Sequence, residues 1–144
     1  MKETRHILAF RFTALGDVAM TVPVIRLLLQ QYPHLQVTFV SLPFHAPLFE
    51  GIERLHFIGA STKTQYKGLK GLWKLASHLK RDVHFDAVAD LHNVLRTQII
   101  RKFFLGKPVA VIDKGRAEKK ELTRPKNKKT APIEIRFSTV CRCF

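Results

Sequence analysis

The sequence is poor in the residues that mark several large classes of protein. Its 144 residues include seven glycines, one tryptophan and two cysteines, Cys141 and Cys143. Two cysteines at that spacing suit neither a stabilising disulfide nor a four-ligand metal site, so we expect a reducing, cytoplasmic setting. No apolar run approaches the roughly 20 residues that cross a bilayer. With 46% hydrophobic and 25% charged residues, the composition is that of an ordinary globular domain.

Motifs for nucleotide and metal binding are missing as well. A dinucleotide fingerprint needs three glycines, and Gly16 is the only glycine among the first fifty residues. No P-loop and no Ser/His/Asp set can be recognised. The histidines lack the spacing of metal ligands, so we expect no metal site.

Acidic residues are scarce relative to basic ones. The chain has 25 Lys and Arg against 11 Asp and Glu, a net charge of +14. Residues 113–144 hold ten of these basic residues and four of the acidic ones. Such a surface attracts phosphates on nucleic acid, on anionic lipid or on a phosphorylated glycan, and charge alone does not choose among them.

The hydrophobic pattern predicts strands that alternate with helices. Apolar, β-branched runs predict strands at 7–12, 36–42, 54–58, 85–91 and 108–112. Three- and four-residue spacing predicts helices from about Asp17, over 68–80 and over 94–104, with a single helical turn at 46–50. Pro23 interrupts the first of these patterns, so that helix either starts near Val22 or is kinked. Trp73 falls on the apolar stripe of the second and is expected in the core.

This alternation predicts an α/β fold, a Rossmann-like parallel sheet covered on both faces. Ligands of such sheets bind beyond the carboxyl ends of the strands. Polar residues follow three of the predicted strands, and they are our candidate site: Thr13, Gly16 and Asp17; Asp90, His92 and Asn93; Asp113, Lys114 and Arg116.

Two interpretations are open for the most prominent of these residues. Asp17 is either the N-cap of the first helix or a general base beside a glycine that lets a substrate approach. His92 and Asn93 are either substrate ligands or a polar turn that opens the next helix.

Several segments resemble the N-terminal domain of glycosyltransferase family nine, the bacterial heptosyltransferases of lipopolysaccharide assembly and their relatives. They are RFTALGDVAMTVPV, QVTFVS, FDAVADLHNVLRT and VIDKGRAEKKELTR, and the similarity spans about residues 5–129. The resemblance implies half of a GT-B enzyme, in which this domain binds the acceptor and a second domain binds the sugar donor. It implies inverting transfer of heptose from ADP-heptose, with no metal and no cofactor.

The resemblance also implies roles for individual residues. Asp17 matches the aspartate proposed as the family's general base. Thr13 and Gly16 would shape the acceptor site, and weaker acceptor-side candidates are His92, Asn93, Arg96 and Lys114. The implied partner is the lipopolysaccharide core at the cytoplasmic surface of the inner membrane, with no specific nucleic acid.

The chain departs from the family after Lys129. Residues 130–144 do not follow the family pattern, whereas one back-translation shifted by one base resembles the helix expected next. We therefore expect a domain at 1–129, an out-of-frame tail at 130–144 and a truncated transferase without activity of its own. Two alternatives are a small basic nucleic-acid-binding protein and a complete nucleotide-binding domain of flavodoxin-like architecture.

Overall fold

The described part of the chain, residues 5–113, forms a five-stranded parallel sheet in the order β3-β2-β1-β4-β5 in the computed structural model. The elements are β1 (Arg5–Phe10), α1 (Leu15–Gln31), β2 (Leu35–Ser41), a 3₁₀ helix (Pro43–Phe49), β3 (Leu55–Gly59), α2 (Gly68–Asp82), β4 (Ala87–Asp90), α3 (Leu95–Lys102) and β5 (Val109–Val111). The predicted Rossmann-like α/β fold is confirmed, and each predicted strand is present within two residues at each end.

The strand order reverses direction beside β1. Ile7 pairs with Val37 of β2 on one side and with Ala87 of β4 on the other. The chain adds β2 and then β3 on one side of β1. It then adds β4 and β5 on the other side of β1. Ligands of sheets of this type bind in a crevice at such a reversal, so the carboxyl ends of β1 and β4 are where we expect the crevice of this domain.

Alternate residues of β1 serve two separate hydrophobic cores. Ile7 and Ala9 pack with α1 and the 3₁₀ helix on one face of the sheet. Leu8 and Phe10 pack with α2 and α3 on the other face. Because successive strand residues point to opposite faces, a run that is apolar throughout is buried on both sides.

Helix α1 continues through Pro23, so the alternative in which the helix starts near Val22 is wrong. The helix begins at Leu15 with Ala14 as its N-cap, and its buried positions Val18 and Ile25 keep helical spacing on either side of the proline. Pro23 itself is exposed. Water can therefore satisfy the carbonyl that loses its partner at the proline.

The prediction that Trp73 lies in the core is also wrong. The buried face of α2 consists of Leu72, Leu75, Ala76 and Leu79, whereas Trp73 is 59% exposed. Trp73 lies about 100° around the helix from Leu72. The buried stripe of α2 therefore runs through Leu75, and Trp73 lies beside this stripe, where it is exposed to solvent.

Gly71 allows the loop before α2 to pack closely on the helix. A Cβ at this position would lie 2.2 Å from the carbonyl carbon of Tyr66. We expect Gly71→Ala to lower the free energy of unfolding by about 2 kcal/mol, since the backbone of a buried residue must move. Urea unfolding followed by circular dichroism measures this change.

The matched control is Gly16→Ala in α1. No described atom lies within 4 Å of a Cβ at Gly16, and alanine favours helix by about 1 kcal/mol. Equal stability losses in the two variants would contradict the close approach at Gly71.

Candidate functional site

The segment after β1 carries the polar residues of the first strand end. Thr13, Gly16 and Asp17 are exposed there, while Arg11 is buried. Asp17 is the third residue of α1, and the N-cap Ala14 makes no side-chain capping bond. The N-cap interpretation of Asp17 is therefore wrong, although a carboxylate in the first turn still favours the positive end of the helix dipole.

Arg11 joins the two strand ends that border the crevice. Its Nη2 donates to Oδ2 of Asp17 at 2.6 Å, and its Nη1 donates to the carbonyl oxygen of Leu91 after β4. The side chain of Arg11 is 9% exposed, whereas that of Asp17 is 59% exposed. Arg11 thus fixes one carboxylate oxygen of Asp17, while the carboxylate as a whole is exposed at the crevice.

The end of β4 is shaped by a buried carboxylate. Oδ1 of Asp90 accepts from the backbone N–H groups of His92 at 3.0 Å and Asn93 at 2.8 Å. Its Oδ2 lies 3.4 Å from Nη1 of Arg101. Asn93 takes the left-handed conformation, with φ of 46°, which asparagine tolerates better than most residues. Asp90 therefore holds the turn that positions His92.

The side chain of His92 contacts the segment that follows β1. Its Nε2 lies 3.1 Å from Oγ1 of Thr13. With Arg11 bridging to Leu91, two contacts tie the segments after β1 and β4 together. The structure therefore brings together Thr13, Asp17 and His92 at the strand ends beside β1.

The remaining candidates point elsewhere or lie outside the described residues. Nδ2 of Asn93 donates to the carbonyl oxygen of Ile112 beyond β5 at 3.3 Å. Nη1 of Arg96 donates to Oγ1 of Thr62 at 2.9 Å, in the loop that follows β3. Asp113 is the last described residue, and Lys114 and Arg116 lie outside the described residues.

Two buried side chains near the end of β2, Ser41 and His45, hold the backbone of Arg11 in place. Oγ of Ser41 donates to the carbonyl oxygen of Arg11 at 2.5 Å and lies 2.7 Å from Nδ1 of His45. Since the serine proton goes to the carbonyl, Nδ1 of His45 is the donor to Ser41. Both side chains are fully buried, and burial lowers the pKa of His45. A neutral histidine thus fixes the backbone at Arg11.

Sequence reasoning missed Arg11. The available signal was an arginine inside the apolar run ILAFRF, just before the turn. A buried arginine is rare unless it is paired, and the carboxylate six residues later is its partner.

A cavity of about 230 Å³ lies under α1 and reaches the strand-end segment at Leu91. Its described lining has no ionisable side chain and includes Ile7, Thr21, Ile25, Ala89 and Leu91. It offers no group for acid, base or ionic chemistry, so the strand-end crevice is the stronger candidate site.

We expect the fold to lose stability as the pH falls from about 7 towards 5. Burial lowers the pKa of His45, and burial together with His56 lowers the pKa of His6 against an opposing effect of Asp86. A lowered pKa means that the unfolded chain binds the proton more tightly. The stability is thus complete above the unfolded pKa, about 6.5, and decreases as the pH falls towards the folded values.

His45→Asn isolates the part of this pH dependence that comes from His45. The asparagine amide can donate to Ser41 and does not titrate in this range, so the slope of unfolding free energy against pH should decrease. The same change at the exposed His84 should leave the slope unaltered. An unchanged slope in His45→Asn would contradict the assignment.

Comparison with known proteins gives consistent results in sequence and in fold. No protein-family model matches the chain. The lipopolysaccharide core heptosyltransferase OpsX of Haemophilus influenzae is 27% identical over 90 residues, which are 62% of this chain and 25% of OpsX.

Two solved structures share the fold. A family 9 glycosyl transferase from Veillonella parvula superposes with a TM-score of 0.68 at 20% identity, over 93% of this chain and 38% of that one. The E. coli heptosyltransferase WaaC with ADP superposes with a TM-score of 0.54 at 15% identity, over 74% of this chain and 34% of that one. The resemblance to glycosyltransferase family 9 is confirmed, and the matched region spans about a quarter to two fifths of these relatives.

Helices in the described range 5–113 are all too short or too polar to span a membrane.

Proposed function

We propose that this chain is the acceptor-binding domain of an inverting glycosyltransferase similar to the lipopolysaccharide core heptosyltransferases. The observation that carries the proposal is the convergence of Thr13, Asp17 and His92 at the point where the strand order reverses. Gly16 borders the same crevice, and no described atom lies within 4 Å of where its side chain would begin. That open space suits the approach of a sugar.

Asp17 is the proposed general base. In inverting transfer the acceptor hydroxyl gives its proton to the base as its oxygen bonds to the anomeric carbon of the donor sugar, and the bond from that carbon to the nucleotide diphosphate breaks. The carboxylate of Asp17 is exposed enough to reach such a hydroxyl. The bond from Arg11 to one carboxylate oxygen fixes the orientation of the group, which must point its free oxygen at the hydroxyl that it deprotonates.

Other residues of the proposed acceptor site differ in their support. Thr13 is exposed and offers its hydroxyl to a sugar, whereas His92 is buried and would orient that hydroxyl through its contact with Oγ1 of Thr13. Arg96 is exposed beside Thr62 and would attract the phosphates or carboxylates of an acidic acceptor. Asn93 and Lys114 remain weaker proposals, because Asn93 is bonded to the end of β5 and Lys114 lies outside the described residues.

We propose that the donor is ADP-heptose and that it is bound by a domain other than the acceptor domain. In this proposal, residues 1–129 form the acceptor domain and residues 130–144 are not part of it. The acceptor would be the lipopolysaccharide core at the cytoplasmic surface of the inner membrane. The sequence similarity to OpsX and the fold shared with WaaC support this assignment.

Ligand binding by the complete 144-residue chain tests the proposal. Isothermal titration with deacylated lipopolysaccharide core oligosaccharide should show binding, whereas ADP should show none. Gly16→Val should weaken oligosaccharide binding at least tenfold, because the added methyl groups occupy the space that the sugar needs (an overlap that costs about 1–3 kcal/mol). Asp17→Asn keeps the side-chain size, and its oligosaccharide binding should remain within about threefold of the original.

Gly16→Ala is the small-residue control and should retain most of the affinity. Tight ADP binding by the chain would instead support a complete nucleotide-binding domain. Preference for DNA over the oligosaccharide at physiological salt would support the nucleic-acid alternative.

A further inference from the structure

The outer surface of α2 combines large apolar side chains with a concentration of positive charge. Leu69 is 67% exposed and Trp73 is 59% exposed, one helical turn apart. From residue 63 to residue 82 the chain has six basic side chains and one acidic side chain. The acid, Asp82, is paired with Arg81 at 2.8 Å. The four exposed residues Leu69, Lys70, Trp73 and Lys74 are called the α2 patch below.

The α2 patch lies towards the edge of the sheet that holds the candidate site. Helix α2 follows the carboxyl end of β3 and leads to the amino end of β4, so its first turns lie near the carboxyl edge of the sheet. Arg96 ties the loop before α2 to the start of α3 through Thr62. The first turns of α2, which carry the α2 patch, therefore lie at the same edge of the sheet as the strand-end site.

We propose that the α2 patch docks on an anionic lipid surface. Tryptophan and leucine side chains partition into the headgroup boundary of a bilayer, and flanking lysines are attracted by anionic lipids. A second copy of this chain is a poorer occupant, because like-charged lysines would meet across the contact. Nucleic acid would use the lysines but gains little from the exposed Leu69.

Docking through the α2 patch deepens the proposed function on which it rests. An acceptor glycolipid is held in the membrane by its lipid part, so its sugar stands close to the membrane surface. Contact through α2 would bring the carboxyl edge of the sheet, with Asp17 and His92, towards that surface. The α2 patch would thus set the orientation in which the crevice meets its substrate.

Trp73 is the only tryptophan in the sequence, and its fluorescence therefore reports directly on the α2 patch. With the complete chain, vesicles of equal parts phosphatidylcholine and phosphatidylglycerol should shift the emission of Trp73 to shorter wavelength. Brominated acyl chains in these vesicles should quench it. Vesicles of phosphatidylcholine alone should leave the emission nearly unchanged.

Three variants separate the apolar and the charged contributions. Leu69→Ser should weaken vesicle binding by about tenfold, from the loss of buried apolar surface. Lys70→Gln and Lys74→Gln should each weaken it by roughly fivefold. The matched controls are Leu105→Ser and Lys107→Gln, at exposed positions beyond α3, which should have little effect.

The same measurements can overturn the inference. Vesicle binding without any change in Trp73 emission would place the contact elsewhere, for example in the basic residues 114–144. An emission shift that depends on protein concentration without vesicles would indicate a second copy, and a shift with DNA alone would indicate nucleic acid. Since the deacylated oligosaccharide has no lipid, Leu69→Ser should leave its binding unchanged, so failure of the docking and failure of the acceptor site give different results.

Discussion

The buried guanidinium of Arg11 connects the parts of the molecule on which the candidate site depends. It lies at the end of the central strand and reaches Asp17 on α1 and the carbonyl of Leu91 after β4. A buried charge of this kind depends on its partners, and removing one of them leaves the charge poorly compensated. The fold therefore holds Asp17 at the crevice because Arg11 needs its carboxylate.

The surrounding residues reinforce this arrangement from several elements of the fold. Ser41 and His45 fix the backbone at Arg11 from the end of β2. Asp90 organises the turn after β4 and so sets the position of His92, which contacts Thr13. A reactive group that is preoriented in this way loses little entropy when a substrate binds. Precise orientation is what the proposed general base requires, and the pairing with Arg11 fixes one oxygen of the Asp17 carboxylate.

Much of the fold could be predicted from the sequence because its signals are local. The apolar runs gave the strands, and the alternation of strands and helices gave the parallel sheet. The strand-end rule selected Thr13, Asp17 and His92, and the fold brings these three together. The errors arose at positions where tertiary contacts determine which residues are buried and where a helix begins. Pro23 is tolerated because it faces solvent, and Trp73 is exposed because Leu75 completes the buried stripe.

The partners of polar groups were the least predictable feature. Arg11 and Leu91 are 80 positions apart in the sequence, and no local pattern announces that contact. The interpretation of Asp17 as an N-cap failed because Ala14 is the N-cap, and the carboxylate of Asp17 in the first turn accepts from the buried Arg11. Asn93 was grouped with His92 by position, yet its amide bonds to the end of β5.

The central claim is that the crevice between the ends of β1 and β4 receives the acceptor sugar. Nuclear magnetic resonance of the isotope-labelled chain, titrated with deacylated core oligosaccharide, tests it most directly. The account predicts amide shift changes concentrated at residues 13–17 and 91–93, on both sides of the Arg11 bridge. Shift changes confined to α2 or to residues 114–144, with these two segments unchanged, would contradict it.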